Sequence, residues 1–209
     1  MSSRVVLVDA VRTPFGKAGS LFQGTRADDI MVRALRGLLE RNPKVSPSEI
    51  DDVAIAAATQ SGDQGMNIGR SVSILAGLPT SVPGYSIDRW CAGAMTAVTT
   101  LSGAIALGQY EIAIAGGVEH MGNHPMGEGL DPNPRYLAEK IVEPDALQMG
   151  LTAERLHDKF PHLTKERADA YSVNSQKKTA AAYANGKIQR DLIPVGIRSA
   201  ELGWGVATV

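Results

Sequence analysis

The chain has 209 residues, 44% of them hydrophobic and 21% charged, with a formal net charge of −1. That suits a soluble globular protein with a sizeable core, and leaves no bulk charge to draw nucleic acid or an anionic membrane surface. One cysteine, Cys91, excludes an internal disulfide, and the apolar run Val5–Val8 is too short for a secretory signal. In chain order, Val5–Val11 reads as a buried strand, ended by the turn residues Thr13-Pro14-Phe15-Gly16. Ala27–Arg41 is an amphipathic helix with Ile30, Met31, Ala34, Leu35, Leu38 and Leu39 on one face, stopped by Asn42-Pro43. Ser46-Pro47-Ser48-Glu49 is a capping-box start for a short helix. Val53–Thr59 is a second buried strand, and Asn67–Ala76 a helix with Gly77 and Pro79 as stops. A strand then runs from Val82 to Trp90, a helix from Cys91 to about Leu107, and a strand from Glu111 to Ala115.

The order β-α-β-α-β-α-β predicts an α/β fold with a mostly parallel sheet covered on both faces. Trp90–Tyr110 carries no charge and is nearly as long as a membrane span. Its small and hydroxylated residues make it too polar for one, so a helix packed on all sides in the core is expected. After Val118, His120–Pro134 is rich in glycine and proline and reads as an ordered loop. Helices follow around Thr152–Lys159 and Lys165–Ala184, the second capped by Thr164, stopped by Asn185-Gly186 and polar enough to lie on the surface. An apolar run begins at Gly205 and breaks off at Val209, which reads as an interior point of a longer chain.

Cys91 stands where the third strand hands over to its helix. Such a sheet presents reactive groups at the carboxyl ends of its strands. A thiol at a helix N-terminus faces unpaired N–H groups and the positive dipole end, which favour the thiolate, so Cys91 is a candidate nucleophile. The alternative is an inert core thiol. The glycines build neither a phosphate loop nor a nucleophile elbow of the G-x-S-x-G type. His120 and His124 are four apart beside Glu119, but Gly122 and Pro125 break a helix there, so no metal site is expected. The imidazoles are expected to serve loop carbonyls. Asp28-Asp29 and Asp51-Asp52 read as a helix start and a strand edge rather than as carboxylate pairs. Gly116-Gly117 suits a close backbone approach or a tight turn, and Met149, before a helix, reads alone as core filler.

Five segments in order resemble the N-terminal half of the thiolases, which act on 3-ketoacyl-CoA or acetoacetyl-CoA. They are Val8-Asp9-Ala10-Val11-Arg12-Thr13-Pro14-Phe15-Gly16, Gln64–Arg70 with Ala76–Pro79, Asp88–Met95, Ala115–Met121 and Met149–Glu154. The resemblance implies a layered fold of two similar halves plus a loop domain. Here residues 1–118 would be the domain carrying the nucleophile, 119–209 an incomplete loop domain, and the C-terminal half missing. It implies that Cys91 takes an acyl group as a thioester, that its N–H serves an oxyanion hole, and that Met149 with Gln148 borders the acyl pocket. Coenzyme A would be a substrate, with no permanently bound cofactor. A cytoplasmic homodimer or homotetramer is implied, with a hydratase/dehydrogenase as a possible partner in fatty-acid β-oxidation.

Asp88 stands where the family usually has asparagine, and Gly93-Ala94 where it usually has Ser-Gly. The Gly-His-Pro motif, the second cysteine and the oxyanion asparagine of the family's other half are not in these residues. The chain is therefore expected to be a segment of a 3-ketoacyl-CoA thiolase, probing as inactive alone. A biosynthetic acetoacetyl-CoA thiolase, a ketoacyl synthase and a non-catalytic thiolase-like scaffold are the alternatives.

Overall fold

A computed structural model describes residues 4–199 and 203–207. The chain divides into two compact units, Met1–Gly129 with Asp191–Val209, and Leu130–Arg190. The boundary expected after Val118 falls inside the first.

The first unit is built on β1 (Asp52–Ala56), whose five residues are all buried. β2 (Tyr85–Ile87) and β3 (Ala113–Gly117) flank it in the order β2-β1-β3, both parallel to it. Ala56 pairs with Ile87 on one side and Gly117 on the other, so the carboxyl ends of the strands are level. α1 (Ala27–Arg41) and α2 (Ile68–Ala76) enclose the core of Leu35, Val53, Ile55, Ile68 and Val72. Each such side chain, fully buried, contributes about 1.5–3 kcal/mol. Ala54 belongs instead to a second cluster, with Ala97 and Leu101 of α3 (Gly93–Ala106). Alternate β1 residues thus serve opposite faces, which gives an α/β/α arrangement. The alanines let α3 lie close to the sheet: a Cβ on Gly93 would sit 2.6 Å from the Ala56 Cβ.

Local chemistry explains the element ends. Asn67 adopts φ 55° and accepts from the Arg70 N–H at the start of α2, while Gly77 ends it at φ 95°. Ser46 and Glu49 form the expected capping box, around a 3-10 turn, Pro47–Glu49. Asp28 and Asp29 lie in the first turn of α1. The Asp51 carboxylate accepts from the Glu111 and Ile112 N–H groups, and buried Asp52 accepts from the Tyr110 hydroxyl. These acids mark a helix start and a strand edge, as expected.

Three expectations need correction. Val5–Val11 forms no strand: Val6, Leu7 and Val8 are 66%, 82% and 77% exposed, and the one ladder contact nearby is the bridge between Arg12 and Leu192. An apolar run calls for burial, but a strand also needs a neighbour for its backbone groups. The helix expected from Cys91 begins at Gly93, after a 3-10 turn at Trp90–Ala92. And α3 is not packed on all sides. It buries Gly93, Ala97 and Leu101, while Met95 is 67% exposed. Small and hydroxylated residues all round this helix leave no strong apolar stripe to mark the packed face.

β4 (Val195–Ser199) and β5 (Gly203–Ala207) pair antiparallel, a hairpin that the sequence reading did not foresee. Thr208 and Val209 lie outside the described residues.

The second unit holds α4 (Arg135–Ala138), α5 (Met149–Lys159) and α6 (Lys165–Ala184). None of the three helices has a buried residue, in keeping with the polar pattern. Thr164 caps α6 through the Arg167 N–H. Among the described residues no helix is long and apolar enough to cross a membrane.

Candidate active site

The parallel strands end at one cleft of about 320 Å³, bordered by Ala56–Ala58 at the end of β1, Gly117–Glu119 at the end of β3, and Trp90, Cys91 and Ala94. This is the edge at which a parallel sheet presents its loops to a ligand. The turn that delivers Cys91 is constrained. Asp88 accepts from the Trp90 N–H at 3.4 Å, the Ala92 N–H bonds to the Arg89 carbonyl, and Thr96 Oγ1 bonds back to the Ala92 carbonyl. Trp90 has φ +47°, a left-handed conformation that costs a bulky side chain on the order of 1 kcal/mol or more. Cys91 is exposed in this chain.

Both departures in this turn have a local account. Asp88 offers the same acceptor oxygen to the Trp90 N–H as an asparagine would. A side chain at 93 would collide with Ala56, so glycine there matches alanine at 56. Ala94 in turn fits against Gly117, where a Cβ would lie 3.1 Å from the Ala94 Cβ. The paired glycines that end β3 thus serve close approach, since a Cβ on Gly116 would lie 3.0 Å from the Met31 Cε.

Gln148 precedes α5 and Met149 opens it, with Met149 72% exposed. Both belong to the Leu130–Arg190 unit, and Cys91 to the other.

The histidines follow two different logics. His120 Nδ1 accepts from the Asn123 N–H, so Nε2 carries the proton and donates to the Phe22 carbonyl at 2.8 Å. This matches the expected service to loop carbonyls and sets a neutral tautomer. His124 does not follow it. Its Nε2 lies 2.5 Å from an Asp63 carboxyl oxygen and its Nδ1 2.8 Å from one of Glu128, an arrangement that favours the imidazolium, which donates from both nitrogens. Asp63 also accepts from the Ala27 N–H and so caps α1. Among the described residues no group of three acids, histidines or cysteines could hold a metal ion.

Burial alone would lower the His124 pKa, but the bonds from Asp63 and Glu128 and their charges win and raise it above 6.5. Burial likewise opposes ionisation of Asp63, and the bonds from His124 and the Ala27 N–H hold it below 3.8. A raised histidine stabilises fully below its unfolded value and loses that contribution as pH rises through its folded one. A depressed carboxylate stabilises above its unfolded value and loses that as pH falls. The cluster therefore contributes most between 3.8 and 6.5. Urea midpoints are expected to fall as pH rises above that window. His124→Asn is expected to flatten that fall, and an unchanged pH slope in this variant would show that His124 carries no such linkage.

Sequence reasoning missed a buried polar link beneath the cleft. Gln64 is fully buried. Its amide nitrogen donates to the Thr59 carbonyl at 2.7 Å and to Glu119 at 2.9 Å, and its oxygen accepts from the His120 N–H at 2.6 Å. The other Glu119 oxygen accepts from the Ala58 N–H at 2.6 Å. Gln64 sits among glycines, with no apolar periodicity to mark it as interior.

Fold and site together define an α/β protein with an exposed cysteine at the carboxyl edge of a parallel sheet. The chain belongs to the thiolase family: residues 5–203 match the thiolase N-terminal domain. It is 39% identical over 192 residues to the 3-ketoacyl-CoA thiolase of Aliivibrio salmonicida (strain LFI1238), covering 91% of this chain and 49% of that protein. The 3-ketoacyl-CoA thiolase of Vibrio vulnificus (strain YJ016) is 39% identical over 191 residues, with 91% and 49% covered. The crystal structure of the Bacillus anthracis acetyl-CoA acetyltransferase superposes with a TM-score of 0.77 at 28% identity, over 94% of this chain and 51% of that one. The chain thus spans about half the length of the curated relatives it matches.

Proposed function

We propose that this chain is the nucleophile-bearing half of a thiolase that cleaves 3-ketoacyl-CoA with CoA. The observation that carries this is the exposed Cys91 at the level ends of three parallel strands. The Cys91 thiolate attacks the keto carbon, and the Cα–Cβ bond breaks. Its electron pair leaves on the acetyl-CoA enolate, which takes a proton and departs as acetyl-CoA. The acyl group stays on sulfur as a thioester until the thiol of a second CoA displaces it as a shortened acyl-CoA. Covalent catalysis divides one hard step into two easier ones. The Cys91 N–H, in the 3-10 turn that leads into α3, would supply one oxyanion donor. Met149 and Gln148 would border the acyl pocket, with 119–209 acting as the loop domain and 1–118 as the nucleophile domain. A cytoplasmic homo-oligomer working in fatty-acid β-oxidation, with CoA as substrate and no resident cofactor, completes the reading.

The base, the second acid and the other oxyanion donor would come from the second thiolase half. Losing one oxyanion donor alone can cost on the order of a hundredfold or more. The test is intact-mass and peptide mapping of the chain after exposure to an acyl-CoA, with and without a C-terminal thiolase half. An acyl group on Cys91, strongly enhanced by the second half, is expected. No adduct in either case would favour a non-catalytic thiolase-like scaffold. An adduct confined to acetoacetyl-CoA across a chain-length series would favour the biosynthetic thiolase.

A further inference from the structure

We propose that Gln64 and Glu119 are a positioning pair that sets the width of the Cys91 cleft. The proposal rests on Cys91 being the working nucleophile. Glu119 lines the same cleft as Cys91 and accepts from the Ala58 N–H, so it ties the segment after β3 to the segment after β1. Its partners are both donors, and neither can reverse. Ala58 offers a backbone N–H, and Gln64 turns its NH₂ toward Glu119 because its oxygen is held by the His120 N–H. The Thr59 carbonyl holds that orientation from the other side, since it can accept only from the same NH₂. The arrangement demands two acceptor oxygens at 119, which a carboxylate supplies and an amide does not. The pair is thus oriented: the interior amide aims the carboxylate, and the carboxylate holds the alanine wall of the cleft. Nothing in this chain of bonds touches the thiol, so the role is one of positioning.

The test uses Glu119→Gln, an isosteric change at an exposed side chain that sets one amide N–H against a donor. Cys91 alkylation is timed with a small electrophile, iodoacetamide, and a bulky one, N-benzylmaleimide. Loosening the wall is expected to raise the bulky-to-small rate ratio about fivefold, since small displacements at a reacting centre carry large rate effects. Thermal stability is expected to change little. Gln64→Met, which keeps the volume and removes the polar atoms, is expected to move the ratio the same way. A ratio within twofold of the parent for Glu119→Gln overturns the proposal, whether or not Gln64→Met folds. A shifted ratio in a chain whose Cys91 takes no acyl group from acyl-CoA, with or without a C-terminal thiolase half, supports the pair and instead sinks the thiolase reading of the site.

Discussion

Cys91→Ala, placed in an enzyme assembled from this chain and a C-terminal thiolase half, is expected to lower thiolysis by about 10,000-fold or more. The reason is that alanine removes the only atom in the proposed scheme that can carry the acyl group. Substrate affinity is expected to survive, because two of the three segments that line the cleft, Ala56–Ala58 and Gly117–Glu119, are untouched by the change. The measurement is kcat and KM for a 3-ketoacyl-CoA, alongside the mass of the trapped intermediate. Retention of a tenth of the parent kcat would remove Cys91 from the mechanism.

Gly69→Ala is expected to be the most damaging small change to stability. A Cβ there would stand 2.0 Å from the Tyr85 carbonyl oxygen and 2.6 Å from its carbon. Both atoms are backbone in β2, which is laddered to β1, so neither can move aside cheaply. Gly84 is equally tight from the other side, where its Cβ would meet the Gly69 carbonyl oxygen at 2.7 Å. Helix α2 and the entry to β2 thus meet backbone to backbone. Overpacking of this kind costs about 3 kcal/mol or more when the neighbour cannot yield. Gly103→Ala in α3 is the control: nothing lies within 4 Å of the new Cβ. Alanine inside a helix is expected to stabilise by about 0.5–1 kcal/mol. Urea unfolding of the two variants should move the midpoint in opposite directions; a Gly69→Ala midpoint at the parent's value would contradict the packing argument.

Much of the fold was legible because its signals are local. Ala27–Arg41 was read from its apolar face, and α2 from Asn67 and Gly77 at its ends. Burial of β1 on both faces shows in its run of uninterrupted apolar residues after Asp52. Cys91 was legible because the strand-to-helix change in pattern falls at that residue, although the regular helix starts two residues later. The network behind the cleft was not legible. Gln64, Glu119, Asp63 and Glu128 are far apart or unremarkable in sequence, and their roles depend on which loops the parallel strands bring together. His124 illustrates the limit: its spacing from His120 is visible, but its two carboxylate partners come from a folded loop and a distant turn.

The amino-acid sequence by itself determined the alternation of strands and helices, the helix ends, the one available thiol and, through five ordered segments, the thiolase family. These follow from short-range patterns of side-chain size, polarity and turn chemistry, which act within a few residues of one another. Tertiary structure alone decided that Val5–Val11 lacks a ladder, that α3 buries one stripe, and that glycine at 69, 84 and 93 answers backbone or alanine across a gap. It also decided that a buried glutamine aims a carboxylate at the wall of the Cys91 cleft. Each of these depends on which distant atoms lie within a few ångströms, and hydrogen bonding and repulsion are decided at that range.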